Sequence, residues 1–135
     1  MHVVLISCVA KKKDSKSSAK DLYISPLFRS AYQYAKKIKA DKIFILSAKY
    51  GLLEVDDIVE PYDETLNTKK AREVQCWADG VIVALSQKTN LNEDEFTILA
   101  GERYRKHLIK HLRKYSIPLE GLSIGKQLSF YKENR

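Results

Sequence analysis

Three short apolar runs constrain this chain more than any other feature: His2–Cys8 (HVVLISC), Lys42–Ser47 (KIFILS) and Phe96–Ala100 (FTILA). Each is rich in β-branched or bulky residues, shows no polar alternation and ends on small or polar residues. Strands of this kind are buried on both faces, as happens where helices cover both sides of a mainly parallel sheet. The segments between them carry the helical period that such a sheet requires. Ser25-Pro26 predicts a helix start, because serine caps free first-turn amides and proline is tolerated at the first helical position. Leu27, Ala31, Tyr34, Ala35 and Ile38 then build one stripe. Asn67 or Thr68 is positioned to cap a long helix with Ala71, Val74, Ala78, Val81, Ile82 and Leu85 on one face and Trp77 beside them. Tyr104, Leu108, Leu112 and Tyr115 predict a third helix with Arg103, Lys106, Lys110, Arg113 and Lys114 mostly outward. Ile124, Leu128 and Tyr131 suggest a last short one. The alternation predicts an α/β fold: a three-layer αβα domain with a small, mainly parallel sheet and right-handed crossovers.

Length and composition fit one domain over residues 1–135, since 44% hydrophobic and 30% charged residues is the balance of a folded globule. The first apolar run is too short for a secretory signal, and no run reaches the roughly 18–20 apolar residues that cross a bilayer. With only Cys8 and Cys76, a disulfide framework is not expected, and the cytoplasm is the expected compartment. A net charge of +7 favours association with polyanions, although a solvated basic surface is the alternative reading.

Two stretches read as loops. Val9–Leu22 holds five lysines and no apolar period, and Ala48–Leu66 contains Gly51 and Pro61. Loops longer than about a dozen residues in a small domain are usually functional. In a parallel sheet, ligands bind beyond the carboxyl ends of the strands. The topology therefore gathers Ser7-Cys8, Ser47 to Gly51 and Ala100-Gly101 around one cleft.

The segments LISCVAKKK, DLYISPLFRSAYQYA, ILSAKYGLLEVDDIVEPYDETL, LAGERYRKHL and PLEGLSIGKQL span nearly the whole chain. They resemble an uncharacterised bacterial and phage family, a domain of unknown function. That family is in turn distantly similar to the YaaA peroxide-stress proteins and to the domain that accompanies archaeosine synthase, through the Ser-Cys, Ser-Pro and Ser-x-x-Tyr-Gly-Leu positions. The resemblance implies a fold similar to uracil-DNA glycosylases and a role on nucleic acid.

The residues themselves offer a matching chemistry. Asp63 lies between Tyr62 and Glu64 in the second loop and is the first candidate to orient a water or a base edge, with Glu60 nearby. The competing reading is a turn and helix entry in which the acids serve as caps. Ser7 and Lys49 complete the candidate catalytic set. Tyr23, Phe28, Tyr50, Tyr62 and Tyr104 either hold a base by stacking or belong to the core. Lys13, with Lys11, Lys12, Lys16 and Lys20, either neutralises phosphate or is solvated; Ser25, Ser47, Gly51 and Gly101 border the same strand ends. Cys8 is a candidate nucleophile or ligand contact, or a buried structural thiol. No glycine-rich phosphate loop occurs, and His107 and His111 lack the third partner of a zinc site, so neither a metal nor a cofactor is expected. The expected partners are DNA, RNA or a nucleotide. The reading is a base-recognising, nucleic-acid-associated protein, either a glycosylase-like hydrolase or base-modifying transferase, or a noncatalytic stress-response or protein-interaction module.

Overall fold

A computed structural model describes residues 1–7 and 12–135. The central sheet has the order β4-β3-β1-β6-β7, with β1 at His2–Ser7, β3 at Lys42–Ser47, β4 at Gly51–Glu54, β6 at Glu95–Leu99 and β7 at Lys114–Ser116. β1 runs parallel to both β3 and β6, with Val4 opposite Ile43 on one side and Thr97 on the other; β7 is parallel to β6, and only β4 is antiparallel. Val3, Val4, Leu5 and Ile6 are wholly buried, so both faces of the middle strand are covered. At roughly 1.5–3 kcal/mol for each such side chain, this strand anchors the fold. The expected α/β class and the parallel pairing of the three apolar runs are therefore present.

The helices follow from capping and stripe. α1 is one turn at Ala19–Leu22, and α2 covers Pro26–Lys37, with the Ser25 hydroxyl accepting from the Phe28 amide at 3.2 Å. Its buried residues are Phe28, Ala31 and Ala35. α3 covers Ala71–Lys88, α4 Glu102–Arg105 and α5 Ile124–Glu133. The β1–α2–β3 connection moves across the sheet in one direction and β3–α3–β6 in the other, so right-handed crossovers put α2 and α3 on opposite faces. α5 packs on α2.

Four expectations need correction. The third helix does not extend through residue 115: α4 stops after one turn, a 3-10 turn follows at Ile109–His111, and Lys114–Ser116 pairs with β6 as an edge strand. Tyr104, Leu108 and Leu112 are buried as their spacing demands, but Tyr115 is exposed opposite Phe96. The loop after β3 begins with a β3–β4 hairpin, in which Gly51 adopts φ 78°, a left-handed conformation suited to glycine. The described part of Val9–Leu22 is packed: β2 (Ser17–Ser18) pairs with β5 (Ile58–Val59), and Ala19 and Leu22 are buried. Nor do Asn67 or Thr68 cap α3, whose N-cap is Lys70; Thr65 instead caps a 3-10 turn at Leu66–Thr68.

Candidate functional site

β1 sends its connection to one face of the sheet, while β3 and β6 send theirs to the other, so a crevice opens beside the carboxyl end of β1. Ser7 and Ser47 lie at adjoining strand ends there. The Gly101 amide donates to Ser7 Oγ at 3.2 Å, joining the ends of β1 and β6. Cys8 and Lys11 lie outside the described residues.

A chain of hydroxyls joins the two loops. Ser47 Oγ accepts from the Tyr50 amide at 3.0 Å and donates to the Tyr62 hydroxyl at 2.9 Å, and Tyr62 and Tyr23 share a hydrogen bond of 2.6 Å. All three side chains are buried, so each polar group has its cost of burial offset by a partner. Tyr23 also packs on Phe28 at 5.0 Å between ring centroids. Tyr23, Phe28 and Tyr104 thus have no ring face open to a ligand, and Ser25 and Ser47 are equally enclosed; these candidates shape the site from behind.

Tyr50 is different. It stands edge-to-face against Tyr62 at 5.7 Å, is 37% exposed, and has Lys49 Nζ 5.4 Å from its ring centroid. Its hydroxyl reaches the Glu60 carbonyl at 3.5 Å. Lys12 Nζ sits 4.5 Å from the Tyr62 ring centroid, an attraction of cation for ring quadrupole. Lys13 and Lys49 are exposed. Lys20, by contrast, pairs with Asp56 at 2.9 Å, and that hydrogen bond holds its ammonium pKa above the usual lysine range. Glu60 is exposed and Gly51 half-buried.

Asp63 is also exposed: it follows the buried Tyr62 on the chain but stays in water. Among the described residues nothing hydrogen-bonds to it, neither a strand end nor the amides of the following turn.

On the α3 side of the crevice is a groove of about 310 Å³ bordered by Ala48, Leu66, Lys69, Arg72, Glu73, Cys76 and Trp77. Trp77 Nε1 donates to the Ser47 carbonyl at 2.8 Å, and its ring meets Tyr104 edge-to-face at 5.6 Å. Arg103 donates from Nε to the Leu66 carbonyl at 2.9 Å and from a terminal nitrogen to the Lys69 carbonyl at 2.6 Å. Sequence reasoning placed Ala48 at the strand-end cleft but left Lys69, Arg72, Glu73, Cys76, Trp77 and Arg103 outside the site. The available signal was Trp77, whose indole N–H needs an acceptor wherever it packs beside an apolar stripe.

"Uncharacterized protein YfjM" of Bacillus subtilis (strain 168) is 35% identical to this chain over 91 residues, which cover 67% of the chain and 59% of that protein. The chain thus matches about three-fifths of that relative's length. Residues 3–133 match a family described as of unknown function, DUF6884, and the chain belongs to that family.

Proposed function

We propose that this chain is a cytoplasmic, nucleic-acid-associated protein that recognises a nucleobase or nucleotide at the carboxyl ends of its parallel strands, on a fold similar to that of uracil-DNA glycosylases. The observation that carries this reading is Tyr50. It is an aromatic with an exposed surface, braced by Tyr62 and flanked by the exposed Lys49. A ring beside a cation suits a stacked base next to its phosphate, and each stacked base is worth roughly 1–3 kcal/mol. The net charge of +7 favours the same class of partner.

Binding is better supported than a reaction on the base or its glycosidic bond. The ring and the cation beside it already stand together for binding, whereas Asp63, the candidate general base, is exposed and makes no hydrogen bond to a strand end among the described residues. Fluorescence anisotropy with labelled single-stranded DNA and RNA tests the reading. Affinity is expected to fall log-linearly with salt and to drop roughly five- to 150-fold in Tyr50→Ala. Absence of binding to either nucleic acid at low salt would overturn it and favour a protein partner.

A further inference from the structure

The groove between the end of β3 and the start of α3 has the shape and charge of a small-molecule site. Its volume of about 310 Å³ lies at the lower edge of the roughly 300–1,000 Å³ typical of ligand pockets, a size that suits one nucleotide unit. Ala48, Leu66 and Trp77 give it apolar walls. Trp77 is held twice, through its N–H on the Ser47 carbonyl and its contact with Tyr104. Because that N–H is already engaged inside the protein, Trp77 offers the groove only ring surface, which suits a planar heterocycle.

The groove also borders cations that have little else to bind. The Arg72 side chain has no hydrogen bond or ion pair among the described residues, and Lys69 meets Glu64 in a long pair of 3.5 Å between partly exposed side chains. Glu73 is the acid of the lining, and its carboxylate accepts from the Lys70 amide at 3.2 Å. Lys70, the N-cap of the 18-residue α3, has no side-chain acceptor to offer the first-turn amides, so the positive end of this helix adds to the field of Arg72 and Lys69. Arg103 fixes the backbone at Leu66 and Lys69 in advance of any ligand.

We propose that this groove binds a single nucleotide, its base against Trp77 and its phosphate between Lys69 and Arg72. This rests on the reading of the strand-end face as nucleotide-recognising and adds to it a pocket separate from Tyr50. The shared chemistry is a ring-bearing phosphate ester, supplied either by a free mononucleotide or by the phosphorylated end of a strand.

Cys76 lines the groove and is exposed, so its alkylation by iodoacetamide reports occupancy, with peptide mapping to separate it from Cys8. At least one nucleoside 5′-monophosphate, or a 5′-phosphorylated oligonucleotide, is expected to slow Cys76 alkylation several-fold. The matching nucleoside, inorganic phosphate and unphosphorylated oligonucleotide should protect less. Arg72→Ala should remove the protection and keep the melting temperature, because Arg72 holds nothing in place. Protection by the monophosphate identifies a free nucleotide as a ligand, and protection by the oligonucleotide alone identifies a strand end. No protection by any of these probes, equal protection by inorganic phosphate, or protection that survives Arg72→Ala overturns the proposal. Oligonucleotide binding measured alongside separates the two failures: salt-dependent binding with Cys76 unprotected leaves the Tyr50 reading standing and removes the groove. Protection by a monophosphate without oligonucleotide binding keeps the groove and removes the nucleic-acid partner.

Discussion

Trp77 Nε1 lies 2.8 Å from the carbonyl oxygen of Ser47, so the long helix α3 is fastened to the strand end from which the second loop departs. The bond satisfies a backbone acceptor just where β3 stops pairing and keeps the indole upright against Tyr104. Trp77→Phe keeps an aromatic ring and removes the donor. The expected loss is about 1–3 kcal/mol, since a buried carbonyl loses its partner. Thermal denaturation reads this as roughly 3–5 °C per kcal/mol for a chain of this size. An unchanged melting temperature would mean that water replaces the indole there.

The Ser47–Tyr62–Tyr23 chain predicts coupling between the end of β3 and the loop that follows it. Tyr62→Phe and Ser47→Ala are each expected to destabilise by about 1–3 kcal/mol. The double variant should lose less than the sum, because either change already breaks the 2.9 Å bond between them. Urea denaturation of the four proteins in the cycle measures the interaction, expected at about 0.5–3 kcal/mol. Strict additivity would show that the two hydroxyls act independently.

Two glycines predict opposite signs. Gly51 has φ 78°, and an added Cβ would meet only a Val81 methyl at an ordinary 3.8 Å, so Gly51→Ala suffers from backbone strain and not from a clash. The expected loss is about 1–2 kcal/mol. Gly80 sits inside α3 and a Cβ there meets nothing within 4 Å, so Gly80→Ala should stabilise by up to about 1 kcal/mol. Chemical denaturation of both variants checks the pair, and a common sign would refute the assignment.

Those elements also mark how far the amino-acid sequence is legible. β1, β3 and β6 match their apolar runs closely because residues buried on both faces leave an unbroken signal, and α2 starts where Ser25 and Pro26 announce it. Residues 104–115 mislead for a physical reason. Tyr104, Leu108 and Leu112 recur at helical spacing and are indeed buried, but burial is all that spacing records. The free edge of β6 draws Lys114–Ser116 into a strand, a tertiary preference that no local period contains. In the candidate site, the length of Ala48–Leu66 flagged the loop that carries Tyr50, whose partial exposure is the basis of the proposed function. The groove was illegible because Ala48, Leu66 and Trp77 meet only through the crossover of α3.

Acid should weaken the fold through two carboxyls. Asp94 accepts from the Asn90 amide at 2.8 Å and from the amine of Met1 at 2.7 Å, and these bonds, the amide first, hold its pKa below the usual range. Glu54 is likewise lowered, chiefly by its hydrogen bond with Lys88 at 2.9 Å. Both groups bind protons less readily folded than unfolded. The stability they add is therefore present above the unfolded carboxyl value of about 4 and is lost as pH falls through the folded values. Melting temperatures followed downward from pH 6 should decline below about pH 4, and Asp94→Asn should flatten that decline. Added salt should weaken the part due to Glu54, which is partly exposed, more than the part due to Asp94. A decline unchanged in Asp94→Asn would place the acid sensitivity elsewhere.

Asp63 separates binding from catalysis most sharply, because it is exposed directly after a tyrosine that is tied into the core. Nothing folded depends on it, so Asp63→Asn should leave stability within about 0.5 kcal/mol, as surface substitutions do. A helix-capping role would instead cost about 1 kcal/mol, and no such cap is formed here. On the binding reading, removing a negative charge beside a polyanion site leaves affinity for single-stranded DNA or RNA equal or somewhat higher, most visibly at low salt where screening is least. Anisotropy titrations of both proteins at two salt concentrations make that comparison. A catalytic Asp63 predicts another pattern: binding retained, and release of free base from a labelled oligonucleotide reduced by a factor on the order of a hundred or more. Detectable base release by the unmodified protein, lost in Asp63→Asn with the melting temperature unchanged, would overturn the binding reading. It would require the loop that carries Asp63 to close over the strand ends when nucleic acid is bound, bringing the carboxylate within reach of the glycosidic carbon or its attacking water.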